Sequence, residues 1–258
     1  HDELLESSQP VGRDVPVSCK QEIALDHVTA DYGGAEAALK DFSYAFRAHG
    51  CYAILGESGS GKTTLLNLLT GFHRQYSGSI RYDGIVIRDA SNESLCQIMS
   101  VIDQDVFIFD AAIAENISMF HPCSDAALQD AARKAGLSSL IEQKGWDYRC
   151  GENGNQLSGG EKQRIALARS ILQGTDVLFF DEVTSALDAK TGHQLMETIQ
   201  NMTEKTRIVI THDIYPDLMD SFDAVLVLKD GHLAEAGMFS ALIAKQGVCY
   251  HLVNKSIS

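Results

Sequence analysis

No stretch of this sequence holds the ~18 consecutive apolar residues of a helical membrane span, so the polypeptide is expected to be soluble in itself. That is compatible with its being one part of a membrane protein. The opening HDELLESSQP lacks the basic start and apolar centre of a signal peptide. The six cysteines, Cys19, Cys51, Cys96, Cys123, Cys150 and Cys249, include no CxxC pair. Zinc-site spacing is absent and a disulfide framework is not expected in a chain of 258 residues, which leaves reduced thiols in a cytosolic setting. Positive charge is scarce: 21 Lys and Arg stand against 35 Asp and Glu, a formal net charge of −14. Binding along nucleic-acid backbones needs clustered cations, so no nucleic-acid partner is expected. A single bound nucleotide is still possible, because a phosphate cradle works through backbone N–H groups and one lysine. There is no internal repeat and no low-complexity tract.

What is present reads as an α/β protein. Residues 1–21 are polar, with Pro10, Gly12 and Pro16, and are expected to form a linker or frayed arm. From Ile23 a β-rich portion begins. SIRYDGIVI (79–87) and AVLVLKDGHLAEAG (224–237) each set Asp-Gly between short apolar runs, the strongest local hairpin signal. DVLFFD (176–181) and RIVIT (207–211) read as buried strands, and the helical TGHQLMETIQN between them makes a βαβ unit with parallel strands. Ser124 is placed to cap a helical pattern running through DAALQDAARKAGLSSLIEQ. The expected architecture is a core with a mixed, largely parallel sheet, an N-terminal antiparallel β layer, and an inserted α-helical subdomain at about 90–170.

The segment Gly56-Glu57-Ser58-Gly59-Ser60-Gly61-Lys62-Thr63-Thr64 satisfies G-x-x-x-x-G-K-[ST] (Walker A) and lies between an apolar strand and a leucine-rich helix, the context that gives the motif meaning. Gly56, Gly59 and Gly61 permit a turn that aims N–H groups inward, and the helix adds its positive N-terminal end. Lys62 can reach the β- and γ-phosphates and the Thr63 hydroxyl can ligate Mg²⁺. A second metal anchor is expected at the end of a buried strand. In VLFFDE, Asp181 supplies it, and Glu182 stands next to it to polarise an attacking water. These residues point to an Mg-dependent nucleoside triphosphatase and leave many classes open.

NGNQLSGGEKQRIALARSILQ (153–173) narrows them. Ser158, Gly159 and Gly160 open a helix with apolar residues at helical spacing, which makes a second anion-binding end. A triphosphate already held in the cradle would meet this end from outside, as in two copies arranged head to tail. Here the sequence resembles the nucleotide-binding domain of ATP-binding cassette (ABC) transporters, whose signature is LSGGE followed by KQRIALAR. The resemblance extends over about residues 22–253 and implies roles for further residues. Tyr32 corresponds to the aromatic that stacks on adenine, and Gln104 to a glutamine that ligates metal and water where the helical subdomain joins. Asp188 in SALD (185–188) corresponds to a residue at the dimer interface. His212, closing RIVITH, corresponds to the histidine that contacts γ-phosphate. The cofactors implied are ATP and Mg²⁺.

Three features resemble the exporter type. FDAAIAENI (109–117) is similar to the segment after the Gln104 loop in exporters. Glu152 sits where those domains carry an acid that touches the membrane domain. The polar arm is what would remain beyond a transmembrane domain of the same chain. The expected protein is therefore the ATP-hydrolysing motor of a membrane exporter. It would work at the cytoplasmic face of a membrane, partnered by a transmembrane domain of the same or another chain and by a second nucleotide-binding domain. A soluble ABC ATPase acting on nucleic acid or ribosomes, or an importer subunit, are the alternatives.

Overall fold

Each of the first strands of the computed structural model, which describes residues 15–31 and 37–257, turns one set of apolar residues inward. In β1 (Glu22–Ala30), Ile23, Leu25, Val28 and Ala30 face inward; in β2 (Leu39–Arg47), Leu39, Phe42 and Phe46 do. A register shift between Leu25 and Val28 resets the alternation, with His27 at φ 48° in the bulge. β3 (Cys51–Gly56) and α1 (Lys62–Leu69) follow, then β4 (Ser77–Tyr82) and β5 (Ile85–Val86), joined through Asp83-Gly84. The antiparallel sheet has the order β2-β1-β4-β5. Residues just before β1 are tied to it: Asp83 accepts from the N–H groups of Lys20, Gln21 and Glu22, and Val17 and Cys19 are buried.

After α2 (Asn92–Ile98) and β6 (Met99–Ile102) the chain becomes helical through α3 (Ile113–Ser118), α4 (Asp125–Lys134), α5 (Ser138–Lys144) and α6 (Gly159–Gln173). Ser124 caps α4 as its position suggests, its Oγ accepting from Ala127 N. The helical pattern from 125 to 143 is two helices, broken around Gly136, where Arg164 of α6 donates to the Ala135 carbonyl. The core then resumes with β7 (Val177–Asp181), α7 (Ala189–Gln200), β8 (Thr206–Ile210), α8 (Pro216–Met219), β9 (Ala224–Lys229), β10 (His232–Gly237), α9 (Phe239–Ala244) and α10 (Val248–Ile257).

The second sheet has the order β10-β9-β3-β8-β7-β6, antiparallel only at β10–β9. Its central strands are buried on both faces and read as continuous apolar runs. Alternate residues feed two cores. Ile54, Phe179, Ile208, Ile210, Leu226 and Leu228 face α1 and the antiparallel sheet. Ala53, Leu55, Leu178, Phe180, Val209, Val225 and Val227 face the other way, toward the helices. Among the described residues no helix is long and apolar enough to cross a membrane.

Candidate nucleotide site

All six residues of β3 are buried between β8 and β9, and the strand delivers Gly56 to one edge of the sheet. The chain turns through Glu57–Ser60, with Ser60 N donating to Glu57 O. At Gly61 the backbone is left-handed (φ 105°) and a Cβ would stand 2.6 Å from the Ala38 carbonyl, so only glycine fits. Helix α1 begins one residue later. Its N-terminus differs from those of α2, α4, α6 and α7, where Ser91, Ser124, Ser158 and Asp188 accept from a first-turn N–H. Gly61 offers no side chain, and the first turn of α1 contains no acid. The unpaired N–H groups and helix dipole at this end suit an anion.

A cleft of about 290 Å³ opens over this end, lined by Ala38, Ser58, Gly59, Gly61, Lys62, Thr63 and Thr64 and closed by Glu182 and His212. Lys62 is 6% exposed, and its Nζ donates to the carbonyls of Gly56 (2.8 Å) and Glu57 (3.0 Å). Burial lowers its pKa, while Glu182 and Asp181 act in the opposite sense. A buried ammonium whose hydrogen-bond partners are neutral carbonyls has charge to spare for phosphate oxygens.

Strand β7 ends at Asp181, whose carboxyl is pushed upward by burial, then by Glu182 and Asp103, with Lys62 and His212 pulling it down. Asp181 and Thr63 line one adjoining groove of about 860 Å³. At Glu182 the chain turns left-handed (φ 51°), although its N–H still donates to Ile210 O of β8. Such a conformation in a non-glycine residue costs of order 1–3 kcal/mol. Its carboxylate meets His212, Nε2 to Oε1, at 2.7 Å.

Gln104 lies two residues beyond β6 with its side chain exposed, and its carbonyl accepts from Gln163 Nε2 at 2.7 Å. Ser158 caps α6 in a reciprocal box: its Oγ accepts from Glu161 N, and Glu161 Oε2 accepts from Ser158 N at 2.7 Å. Gly160 is buried, and a Cβ there would meet Thr191 Cγ2 at 2.4 Å, so this helix start rests directly on the first turn of α7. Asp188 caps that turn, accepting from Thr191 N, and hydrogen bonds from the Thr191 hydroxyl and then its N–H lower its carboxyl pKa. Ser158, Gly159, Gly160 and Asp188 therefore sit together at one edge, and none of them lines the cleft over α1. Tyr32 lies outside the described residues. Glu152, exposed, starts a short 3₁₀ turn before α6.

Some contacts of the site carry no motif in the sequence. Gln163 and Arg169 of α6 hold the loop after β6 by its carbonyls. Glu57 pairs with Lys255 of α10 at 2.7 Å across nearly the whole sequence, a pair exposed enough to contribute little energy. The Gln and Arg of KQRIALAR were visible as letters, but their targets are backbone atoms, which leave no trace in sequence.

Residues 39–185 match the family described as ABC transporter. The β-(1→2)glucan export ATP-binding/permease protein NdvA of Bartonella bacilliformis is 35% identical, covering 98% of this chain and 43% of its own length. The ATP-dependent lipid A-core flippase of Acinetobacter baylyi is 36% identical over 90% of this chain and 41% of its own length. The structure of a bacterial Atm1-family ABC exporter with ATP bound superposes with a TM-score of 0.85 at 31% identity, covering 97% of this chain and 44% of that one. The chain thus spans less than half the length of these relatives. It belongs to the ABC transporter family.

Proposed function

We propose that this domain is the motor of a membrane exporter, closing head to tail on a second nucleotide-binding domain around MgATP and reopening on hydrolysis. The observation that carries the reading is the convergence of three groups on one cleft, buried Lys62, the uncapped start of α1 and the Glu182–His212 pair, with Asp181 in the groove that adjoins it at Thr63. The names of the relatives, a glucan export ATP-binding/permease protein and a lipid A-core flippase, support a transmembrane domain of the same or a partner chain and a place at the cytoplasmic face of a membrane.

In this reading Gly56 to Thr64 cradle the phosphates and Lys62 neutralises the β- and γ-oxygens. Thr63, Asp181 and Gln104 hold Mg²⁺. The metal, when bound, neutralises charge on the phosphates. Glu182 accepts a proton from the attacking water, a contribution of roughly 10² to 10⁴ in rate, and His212 fixes the carboxylate and faces the γ-phosphate. The phosphorus–oxygen bond to ADP breaks as the bond to water's oxygen forms. Tyr32 stacks on adenine. Ser158, Gly159 and Gly160 bind the nucleotide of the partner domain, with Asp188 at the same interface. In layout, 1–21 leads from the membrane domain, its last residues packed against β1, and 22–258 is the ATPase domain, with the helical subdomain inserted between β6 and β7.

A composite site makes hydrolysis second order in protein. The specific activity is expected to rise with protein concentration until dimers predominate. A specific activity independent of concentration in a protein that stays monomeric with MgATP would overturn the head-to-tail arrangement.

A further inference from the structure

Helix α6 begins at Ser158 on the exposed edge and carries, five residues on, a glutamine that faces the opposite way. Gln163 is 4% exposed. Its single Nε2 donates to two consecutive carbonyls, Asp103 O at 3.1 Å and Gln104 O at 2.7 Å, so both amide protons are spent on the loop after β6. Its Oε1 is buried without a hydrogen-bond partner. An unsatisfied buried acceptor costs about 1–3 kcal/mol, a poor choice for a residue whose only task is packing. Six residues further along, Arg169 grips the same loop at its far end. Nη1 donates to Phe107 O at 2.8 Å, while Nε and Nη2 donate to the backbone and side-chain oxygens of Asn116. Asn116 in turn donates to Phe109 O and accepts from Phe109 N. The helix thus holds the loop's backbone at both ends and leaves the Gln104 side chain exposed.

We propose that Gln163 is a positioning residue for Gln104: it ties the loop backbone to α6, so that a displacement of the Ser158 end is carried to the Gln104 amide at the metal. The separation along the helix is about 7.5 Å, short enough for one rigid rod. The carbonyls are the right handles, because they move the backbone of Gln104 without occupying its side chain. The inference rests on the proposed role of Gln104 as an Mg²⁺ ligand.

The test is a double-mutant cycle on the protein in its full natural length. ATPase rates are titrated with Mg²⁺ at fixed ATP for Gln163→Met, Gln104→Ala and both together. Affinity for a fluorescent ATP analogue in EDTA and thermal unfolding are measured alongside. Removing a group that orients a metal ligand is expected to raise half-saturating Mg²⁺ by about tenfold in each single variant, with metal-free nucleotide affinity unchanged. The double variant is expected to match Gln104→Ala within about twofold, since Gln163 acts only through Gln104. Gln163→Glu, equal in size and lacking both donors when ionised, is expected to behave as Gln163→Met and serves if that variant does not fold. Multiplying effects in the double variant, or an unchanged Mg²⁺ requirement in both Gln163 variants, would overturn the proposal. A normal Mg²⁺ requirement in Gln104→Ala would overturn the metal-ligand reading itself, and that outcome is recognisable without any Gln163 variant.

Discussion

Glu182 Oε1 and His212 Nε2 stand 2.7 Å apart at the ends of two adjacent parallel strands, β7 and β8. Asp181 pairs with Ile210, the last residue of β8, so the sheet register itself brings the residues just beyond each strand together. Glu182→Gln keeps the shape and a hydrogen bond to His212 but removes the proton acceptor. Steady-state hydrolysis is expected to fall by roughly 10² to 10⁴ while ATP binding persists. Size-exclusion chromatography with MgATP should show a stable dimer; full ATPase activity, or monomer alone, would count against it.

Ser158 lies outside the cleft that its own chain forms over α1. Ser158→Arg is therefore expected to suppress hydrolysis and leave the monomer's ATP affinity within about twofold of the parent. Equilibrium binding below the dimerisation range decides this. A large loss of monomer affinity would mean that Ser158 serves its own chain's nucleotide.

The close approach at Gly160 leads to a rescue experiment. A Cβ at 2.4 Å from Thr191 Cγ2 would force α6 off α7, because a β-branched side chain on a helix has few alternative rotamers. Gly160→Ala is expected to destabilise the chain by about 1–3 kcal/mol, and adding Thr191→Ser, which removes that methyl, should recover most of it. If chemical denaturation finds Gly160→Ala neutral, the contact is not tight in solution.

Asp181 carries a cost in the nucleotide-free protein. Its carboxyl is raised above the ordinary value, first by burial and then by Glu182 and Asp103. A carboxyl raised on folding favours the protonated state, so its stability contribution is full below the unfolded pKa and is lost as pH rises through the folded one. At neutral pH Asp181→Asn is expected to raise Tm without nucleotide and to abolish Mg²⁺-dependent hydrolysis. The gain in Tm over the parent should shrink as pH is lowered toward 4. A lower Tm for the variant at pH 7 would contradict this.

Thiol labelling probes burial independently. Burial raises the Cys19 and Cys249 thiols to about 11 and Cys51 to about 12, and Cys150 is buried too. Cys96 and Cys123 are exposed. A disulfide reagent at pH 8 should label those two rapidly and the other four only on unfolding.

Much of this was legible because the chemistry is local. The cradle needs consecutive residues, so Gly56 to Thr64 reads as a motif. The Asp-Gly pairs at 83–84 and 230–231 announce turns that do join β4 to β5 and β9 to β10. The apolar runs of β7 and β8 flank a helix and form the expected parallel pair. The break between α4 and α5 falls at Gly136, left-handed at φ 75°, where Gly136 N donates to Arg133 O and Leu137 N to Ala132 O. It is a glycine stop that the Ala-rich pattern on either side obscures, and Arg164 of α6 then takes the freed Ala135 carbonyl.

By itself the sequence determined the α/β class and the family, because each depends on residue type at short, fixed spacing. Tertiary structure alone decided which groups meet across long separations. It set Glu182 against His212, Gly160 against Thr191, and Gln163 on the carbonyls of the Gln104 loop. Those relations run through strand register, helix contact and backbone oxygens, and every residue has the same backbone oxygen, so no choice of side chain writes its partner into the sequence.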